Sequence, residues 1–296
     1  MHLSSAPLST TAASDLSQHL PDSATIQAQV QLALAEDVGD GDLTAALLPA
    51  QQRSRAELVT REAATLAGCA WFEAVFRALD PGVELHWDAA DGDRIAAGQR
   101  LCVLEGHSRA LLTGERTAMN YLQTLSGTAT RARRYADAVA GLPVVVLDTR
   151  KTLPGLRDQQ KYAVRCGGCH NHRRGLFDAI LIKENHILAA GSIRAALDAA
   201  KALGRDVPIE IEVESVAEME AAITTGARCI LLDNFPLAEL RRAVAANAGR
   251  STLEASGGVT LETIRPIAET GVDRISVGDV TKDVTAVDLS MRFVVI

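Results

Sequence analysis

From Pro143 onward the sequence repeats one pattern, a short β-rich run followed by an amphipathic helix. The runs are VVVLDT (144–149), DAILIK (178–183), IEIEVES (209–215), CILLDN (229–234), TLEAS (252–256) and RISVGD (274–279). The segments SIRAALDAAKALG, SVAEMEAAITTG, PLAELRRAVAANAG and TLETIRPIAETG separate most of them and close on Gly204, Gly226, Gly249 and Gly271. Glycine tolerates the left-handed backbone that ends a helix. Strands alternating with helices in this way must run parallel, because each crossover helix returns the chain to the same end of the sheet. No G-x-G-x-x-G turn is present, which weighs against a dinucleotide-binding sheet. The expected fold class is α/β, with an open, incomplete parallel (β/α) barrel as the catalytic domain over residues 126–283.

The preceding part reads differently. A helix is expected over 25–36, then a Gly/Asp-rich turn. AELVTREAATLAG reads as a strand into a turn, CAWFEAVFRAL as a helix, and VELHW and RLCVLEG as strands. DGDRIAAGQRL has the cadence of a lipoyl hairpin, but it carries no lysine to modify. Two helices are expected near 108–125 and 127–140. In the first, Leu111, Leu112, Ala118, Met119, Leu122 and Leu125 form an apolar stripe opposite Arg116, Asn120 and Gln123. Residues 25–125 are therefore expected to form an α+β layer. VDLSMRF suggests a C-terminal strand within 284–296 that returns to it. Residues 1–24, rich in Ser, Ala and Thr, are expected to form a flexible tail.

That first segment has neither the basic start and apolar run of a secretory signal nor the arginines of a mitochondrial presequence. No stretch approaches a membrane span. The net charge of -7 excludes a general nucleic-acid binder. Five cysteines, an odd number widely spread, suit reduced thiols. A cytoplasmic protein without membrane or nucleic-acid partners is expected.

Barrel enzymes carry their chemistry just past the C-terminal strand ends. Here the first run ends in Asp148, Thr149, Arg150 and Lys151, and the second in Lys183, Glu184, Asn185 and His186. The third carries Glu210, Glu212 and Glu214 on one face. The fourth ends in Asp233-Asn234, the fifth in Ser256-Gly257-Gly258, and the sixth in Gly278-Asp279. His170, His172, Arg173 and Arg174 precede the second run. Carboxylates inside a barrel are costly unless they meet cations or a metal. The mouth thus has a cationic part suited to a carboxylate ligand and an acidic, glycine-rich part suited to sugar, phosphate and Mg²⁺. Together they point to phosphoribosyl transfer.

CGGCH (166–170) spells a haem-attachment site, and could pass for half a zinc site or a redox dithiol. Haem attachment needs export, and zinc needs a second ligand pair nearby. Neither haem, zinc nor a bound nucleotide cofactor is expected. The better reading is a loop that delivers His172 and Arg173.

The chain closely resembles the quinolinate phosphoribosyltransferases, also called carboxylating nicotinate-nucleotide pyrophosphorylases. The likeness runs from about Ala28 to Phe293 through LALAEDVGDGDLTAALLP, ERTAMNYLQTLSGTAT, LDTRKTLPGLRDQQKYAV, NHRRGLFDAILIKENHI, EVE, ILLDN, SGGV and VDLSMRF. The resemblance implies that quinolinate and phosphoribosyl pyrophosphate give nicotinate mononucleotide, pyrophosphate and CO₂ with Mg²⁺, a step of de novo NAD biosynthesis. It also implies that residues 25–125 form an N-terminal α/β sandwich joined to the open barrel, and that the protein is a homodimer in which Arg116 reaches the partner's site. Thr149, Arg150, Lys151, His172, Arg173 and Lys183 fall at substrate-binding positions. Glu212 and Asp233 fall at the ribose and magnesium region, and Ser256, Gly257, Gly258 and Gly278 at the phosphate loops. Lys151, Lys183, Glu212 and Asp233 are the catalytic candidates. Two residues depart from the pattern: Cys169 replaces a usual glycine, and Asp279 a common alanine. Asp279 is expected to weaken phosphate binding unless it faces away or meets a cation.

Overall fold

The structure, a computed structural model, describes residues 16–295. The chain forms two compact units. The first contains the residues through Thr130, Asp158–Gly167, and those from Val284 onward; the second contains Arg131–Arg157 and Gly168–Asp283.

In the first unit, helix α1 (Ser23–Val38) starts at Asp22, whose carboxylate accepts the Thr25 N–H at 2.7 Å. Of the tail expected over 1–24, residues 1–15 lie outside the described residues. The rest is not a tail, because Leu16 and Leu20 pack against the core and α1 begins at Ser23. Strand β1 (Arg53–Thr60) buries Ser54, Ala56, Leu58 and Thr60, the alternation of a sheet with one covered face. The short strand β2 (Ala64–Thr65), helix α2 (Cys69–Leu79), and strands β3 (Glu84–Trp87), β4 (Arg94–Ile95) and β5 (Arg100–His107) follow. The C-terminal strand β12 (Leu289–Val295) pairs antiparallel with β1, completing the sheet β12-β1-β5-β3. Its core is filled by Trp71, Phe72, Phe76, Leu101, Leu104, Leu111, Leu122 and Leu125.

Helix α3 (Ser108–Ala138) runs unbroken where two helices were expected. One internal glycine costs only about 1 kcal/mol, and Ser126 is held by the Ala67 N–H at 3.1 Å. Helix α4 (Arg157–Cys166) was not expected, and residues 158–167 count with the first unit rather than with the barrel of 126–283. Its polar residues are buried and bonded there: Gln160 donates to Thr128 Oγ1 at 3.3 Å, and Tyr162 to Asp91 at 2.8 Å. Along α3 the division between the two units falls after Thr130, five residues beyond the expected end at Leu125.

The second unit holds β6 (Val145–Leu147), β7 (Ile180–Ile182), β8 (Ile209–Val213), β9 (Cys229–Asp233), β10 (Thr252–Ser256) and β11 (Arg274–Ser276). They form one parallel sheet ordered β6-β11-β10-β9-β8-β7. The edges β6 and β7 do not pair, so the barrel is open. Between the strands lie α5 (Glu184–Ala190), α6 (Ile193–Ala202), α7 (Val216–Thr224), α8 (Leu237–Asn247) and α9 (Ile264–Ala268), and α10 (Asp279–Lys282) follows β11. The register sets Glu210 beside Cys229, Glu212 and Glu254 on either side of Leu231, and Asp233 beside Ser256. These residues share a face, while Ile211, Val213, Ile230, Leu232, Leu253 and Ala255 are buried on the other. Among the described residues, no helix is long and apolar enough to cross a membrane.

Candidate active site

The CGGCH segment has a backbone role. His170 bridges β6 like an extra strand, its N–H on Val146 O at 2.8 Å and its carbonyl accepting the Asp148 N–H at 3.0 Å. The five cysteines are thiols, not disulfides. Cys166 belongs to the core of the first unit, and Cys169 donates to the Ala132 carbonyl at 3.1 Å. The thiol at the usual glycine position is thus absorbed by α3.

The bridge leads into the cationic loop, which buried Asp148 fixes. Asp148 accepts the His172 N–H at 2.9 Å and the Asn171 amide at 2.7 Å. Arg157 fastens both loops at once: it donates to Thr152 Oγ1 at 3.1 Å and to the carbonyls of Arg150 and Arg174 at 3.3 Å each. Sequence reasoning missed this residue. The result is a crowding of like charges. Burial, and then the Arg150 charge, hold the Arg173 guanidinium below its ordinary range, although Asp178 and Glu210 oppose them. Arg173 donates to the Ala179 carbonyl at 3.1 Å, and the buried Arg150 Nε has no hydrogen-bond partner. Cations massed with unspent donors make a receptor for an anion.

Lys183 and Glu212 join the two halves of the mouth, Nζ to Oε2 at 3.2 Å. Burial raises the Glu212 carboxyl; Lys183 opposes this, while Asp233 and Glu184 add to it. His186, in the same strand-end segment, accepts the Lys183 N–H at 2.9 Å and caps α5. Asp233 accepts the Asn234 side-chain amide at 2.8 Å.

The glycine loops are shaped by close approach. Gly257 has φ +98°, and a Cβ there would overlap the Asn234 side chain and lie 2.9 Å from its backbone nitrogen. Asn234 in turn donates its N–H to the Ser256 carbonyl at 2.9 Å, so the fourth and fifth strand ends interlock. At Gly278 a Cβ would lie 3.0 Å from Lys151 Cδ, so the missing side chain leaves a path for the lysine. The Lys151 backbone is held by Thr149 Oγ1 at 3.1 Å and by the Thr281 hydroxyl at 2.9 Å. Asp279 meets a cation: Arg131 lies 2.6 Å from its carboxylate, and the Tyr135 hydroxyl donates to the same oxygen at 2.7 Å.

Three more groups gather inside the sheet. His172 Nε2 stands 2.9 Å from Glu210 and 3.5 Å from Glu254, and its Nδ1 accepts the Arg173 N–H at 2.7 Å. Burial pushes the Glu210 carboxyl up, but His172 and then Cys229 outweigh it and hold it below its ordinary range. Burial and the Glu210 charge push Glu254 up to about 7. Glu254 was not among the expected site residues; it is completely buried. Arg116 lies in the first unit, exposed on α3.

Thr149, Arg150, Lys151, His172, Arg173, Lys183, Glu212, Asp233, Ser256, Gly257, Gly258 and Gly278 therefore all belong to the second unit. Comparison with known proteins matches both parts of the chain in order. The model of the quinolinate phosphoribosyl transferase N-terminal domain matches residues 42–126, and that of the C-terminal domain matches 128–292. A probable nicotinate-nucleotide pyrophosphorylase [carboxylating] of Bacillus subtilis is 42% identical over 257 residues, covering 86% of this chain and 89% of its own. The nicotinate-nucleotide pyrophosphorylase [carboxylating] of Mycobacterium leprae is 40% identical, over 88% of this chain and 95% of its own. The solved nicotinate-nucleotide pyrophosphorylase of Francisella tularensis superposes with a TM-score of 0.88 at 41% identity, covering 93% of this chain and 98% of that one. With both domains matched in order and relatives at this identity, the chain belongs to the quinolinate phosphoribosyltransferase family.

Proposed function

We propose that the chain transfers the phosphoribosyl group of phosphoribosyl pyrophosphate to the ring nitrogen of quinolinate and releases pyrophosphate and CO₂. The product is nicotinate mononucleotide, and a proton takes the place of the lost carboxyl. The observation that carries this reading is the Arg150–Arg173 pair, two like charges crowded together with a buried, unpartnered Nε. A dicarboxylate relieves that repulsion better than a monocarboxylate does. Lys151 and Lys183 extend the positive field. Glu212, tied to Lys183, is the carboxylate suited to the positive charge that develops at the ribose C1 carbon. Once the ring nitrogen is ribosylated, its positive charge eases loss of the adjacent carboxyl. The protein's task is mainly orientation and charge compensation.

Mg²⁺ fits the acidic half. Glu212 and Asp233 are hard oxygen donors close enough for the Asp233 charge to raise the Glu212 carboxyl, and Mg²⁺ is commonly held by one or two carboxylates together with substrate phosphates. When bound, it supplies charge neutralisation for the leaving pyrophosphate. Ser256, Gly257, Gly258 and Gly278 line the glycine loops suited to phosphate. The working assembly is a homodimer in which Arg116 enters the partner's site. Its exposure, and that of Leu32, Leu43 and Leu47 in the same unit, support this.

The test supplies purified protein with phosphoribosyl pyrophosphate, Mg²⁺ and either quinolinate or nicotinate. The expected result is CO₂ and nicotinate mononucleotide from quinolinate, no turnover of nicotinate, and loss of activity in a chelator that Mg²⁺ restores. Nucleotide formation from nicotinate would overturn the dicarboxylate reading.

A further inference from the structure

Glu210 and Glu254 have no part in the chemistry above, yet with the ring of His172 they occupy the sheet interior. Glu254 stands in the middle of β10 with no exposed surface, and neither carboxyl oxygen makes a hydrogen bond of good geometry, though the Ser276 side chain on the next strand acts on the carboxyl. Its near neighbour of opposite character is the His172 ring, 3.5 Å away. A polar group buried in this way costs stability. The ring it faces is fully committed. Nε2 is directed to the two glutamates, and Nδ1 accepts the backbone N–H of Arg173. An acceptor at Nδ1 requires the proton to sit on Nε2. The same ring therefore fixes the start of the residue that crowds Arg150.

We propose that Glu254 is a positioning residue: with Glu210 it grips His172 from inside the sheet, and His172 holds Arg173 at the angle that receives the dicarboxylate. The grip depends on reach, since Glu254 approaches from the neighbouring part of the sheet and Glu210 alone constrains one side of the ring. A glutamine in its place keeps the length and still turns an oxygen toward Nε2. An aspartate keeps the acid but is one methylene too short. A shorter or apolar side chain lets the ring rotate and Arg173 drift, while the phosphate loops are untouched.

The identity of the dicarboxylate rests on the function proposed above, so one readout is independent of substrate. Full-length Glu254→Gln, Glu254→Asp and Glu254→Leu proteins are compared by thermal melting, by the ring nitrogen resonances of ¹⁵N-labelled His172, and by steady-state kinetics. For wild type and Glu254→Gln, the expected spectrum is a single Nε2–H tautomer. For the Asp and Leu variants it is an averaged ring. Glu254→Asp and Glu254→Leu should raise KM for quinolinate roughly tenfold, with KM for phosphoribosyl pyrophosphate within about twofold and Glu254→Gln near wild type. If Glu254→Leu fails to fold, the Asp and Gln pair carries the test. A fixed tautomer in every variant would overturn the proposal, as would a normal Glu254→Asp beside an impaired Glu254→Gln, which would mean that charge rather than reach matters. A stoichiometric divalent ion in the purified protein, lost on Glu254→Leu, would also overturn it. Inert protein toward quinolinate with the expected spectra would count against the substrate alone.

Discussion

Two charge clusters in the second unit are built on opposite rules. Arg150 and Arg173 place like charges together and leave a buried donor unspent. His172, Glu210 and Glu254 set an imidazole N–H against one carboxylate and a second carboxyl pushed up to about 7, away from water. The first arrangement is unfavourable as it stands and becomes favourable when an anion arrives. The second pairs the His172 N–H with Glu210 and keeps Glu254 uncharged, so it calls for no ligand although Glu254 makes no good hydrogen bond. The frustrated cluster is thus the proposed binding site, and the largely satisfied one beside it is its support.

Breaking the frustrated cluster should have the largest effect. Arg173→Ala removes a cation of the proposed dicarboxylate site, so kcat/KM for quinolinate should fall about 100- to 1000-fold. The protein itself should not suffer, because one of two repelling charges has gone. The expected melting temperature equals or exceeds that of wild type. A large loss of stability with this variant would mean that Arg173 is a structural ion, and the contrast between the clusters would fail.

The supporting cluster should respond to pH instead. The folded chain holds the Glu254 proton up to about 7, whereas an ordinary glutamate loses it near 4.5. The stability linked to that proton is complete below the ordinary value and is lost as pH rises through the folded value. Glu254→Gln cannot ionise and escapes the loss. Its stability relative to wild type should therefore grow between about pH 5 and pH 8, by on the order of 1–3 kcal/mol. Denaturant melts of both proteins across that range would show it. A difference independent of pH would show that the carboxyl is not held neutral.

The contrast also explains what the sequence made legible. Strands followed by Gly-closed helices announced the parallel sheet, and the alternation Glu210, Ile211, Glu212, Val213 placed acids on an inner face. Arg150, Lys151 and Arg173 stood out as clustered cations. Glu254 did not, because it is a lone acid in TLEAS; its signal was the polar alternation Thr252, Glu254, Ser256. Arg157 escaped notice because its acceptors are a hydroxyl and two carbonyls, brought together only by folding. Helix α4 was hidden by the burial of Gln159, Gln160 and Lys161, which a hydropathy pattern assigns to solvent. Tyr162 and Gln160 are stable there through partners distant in sequence, Asp91 and Thr128.

The smallest effect on catalysis should come from Asp279, the acid beside the phosphate loop. Its charge looks harmful in the sequence, but the fold turns it to α3, where Arg131 and Tyr135 share one of its oxygens. Loss of the carboxylate leaves Arg131 with Asp283 at 3.8 Å, a distant and half-exposed substitute. It also strands the hydroxyl of the buried Tyr135. Asp279→Ala should therefore cost about 1–3 kcal/mol of stability and leave KM for phosphoribosyl pyrophosphate within roughly twofold. Asp279→Asn, which still offers an oxygen to both donors, should recover part of the loss. Because Asp279 is neutralised, it belongs with the satisfied cluster rather than the frustrated one. A marked change in KM at unchanged melting temperature would move it to the other side of the comparison, as a charge that the phosphate feels.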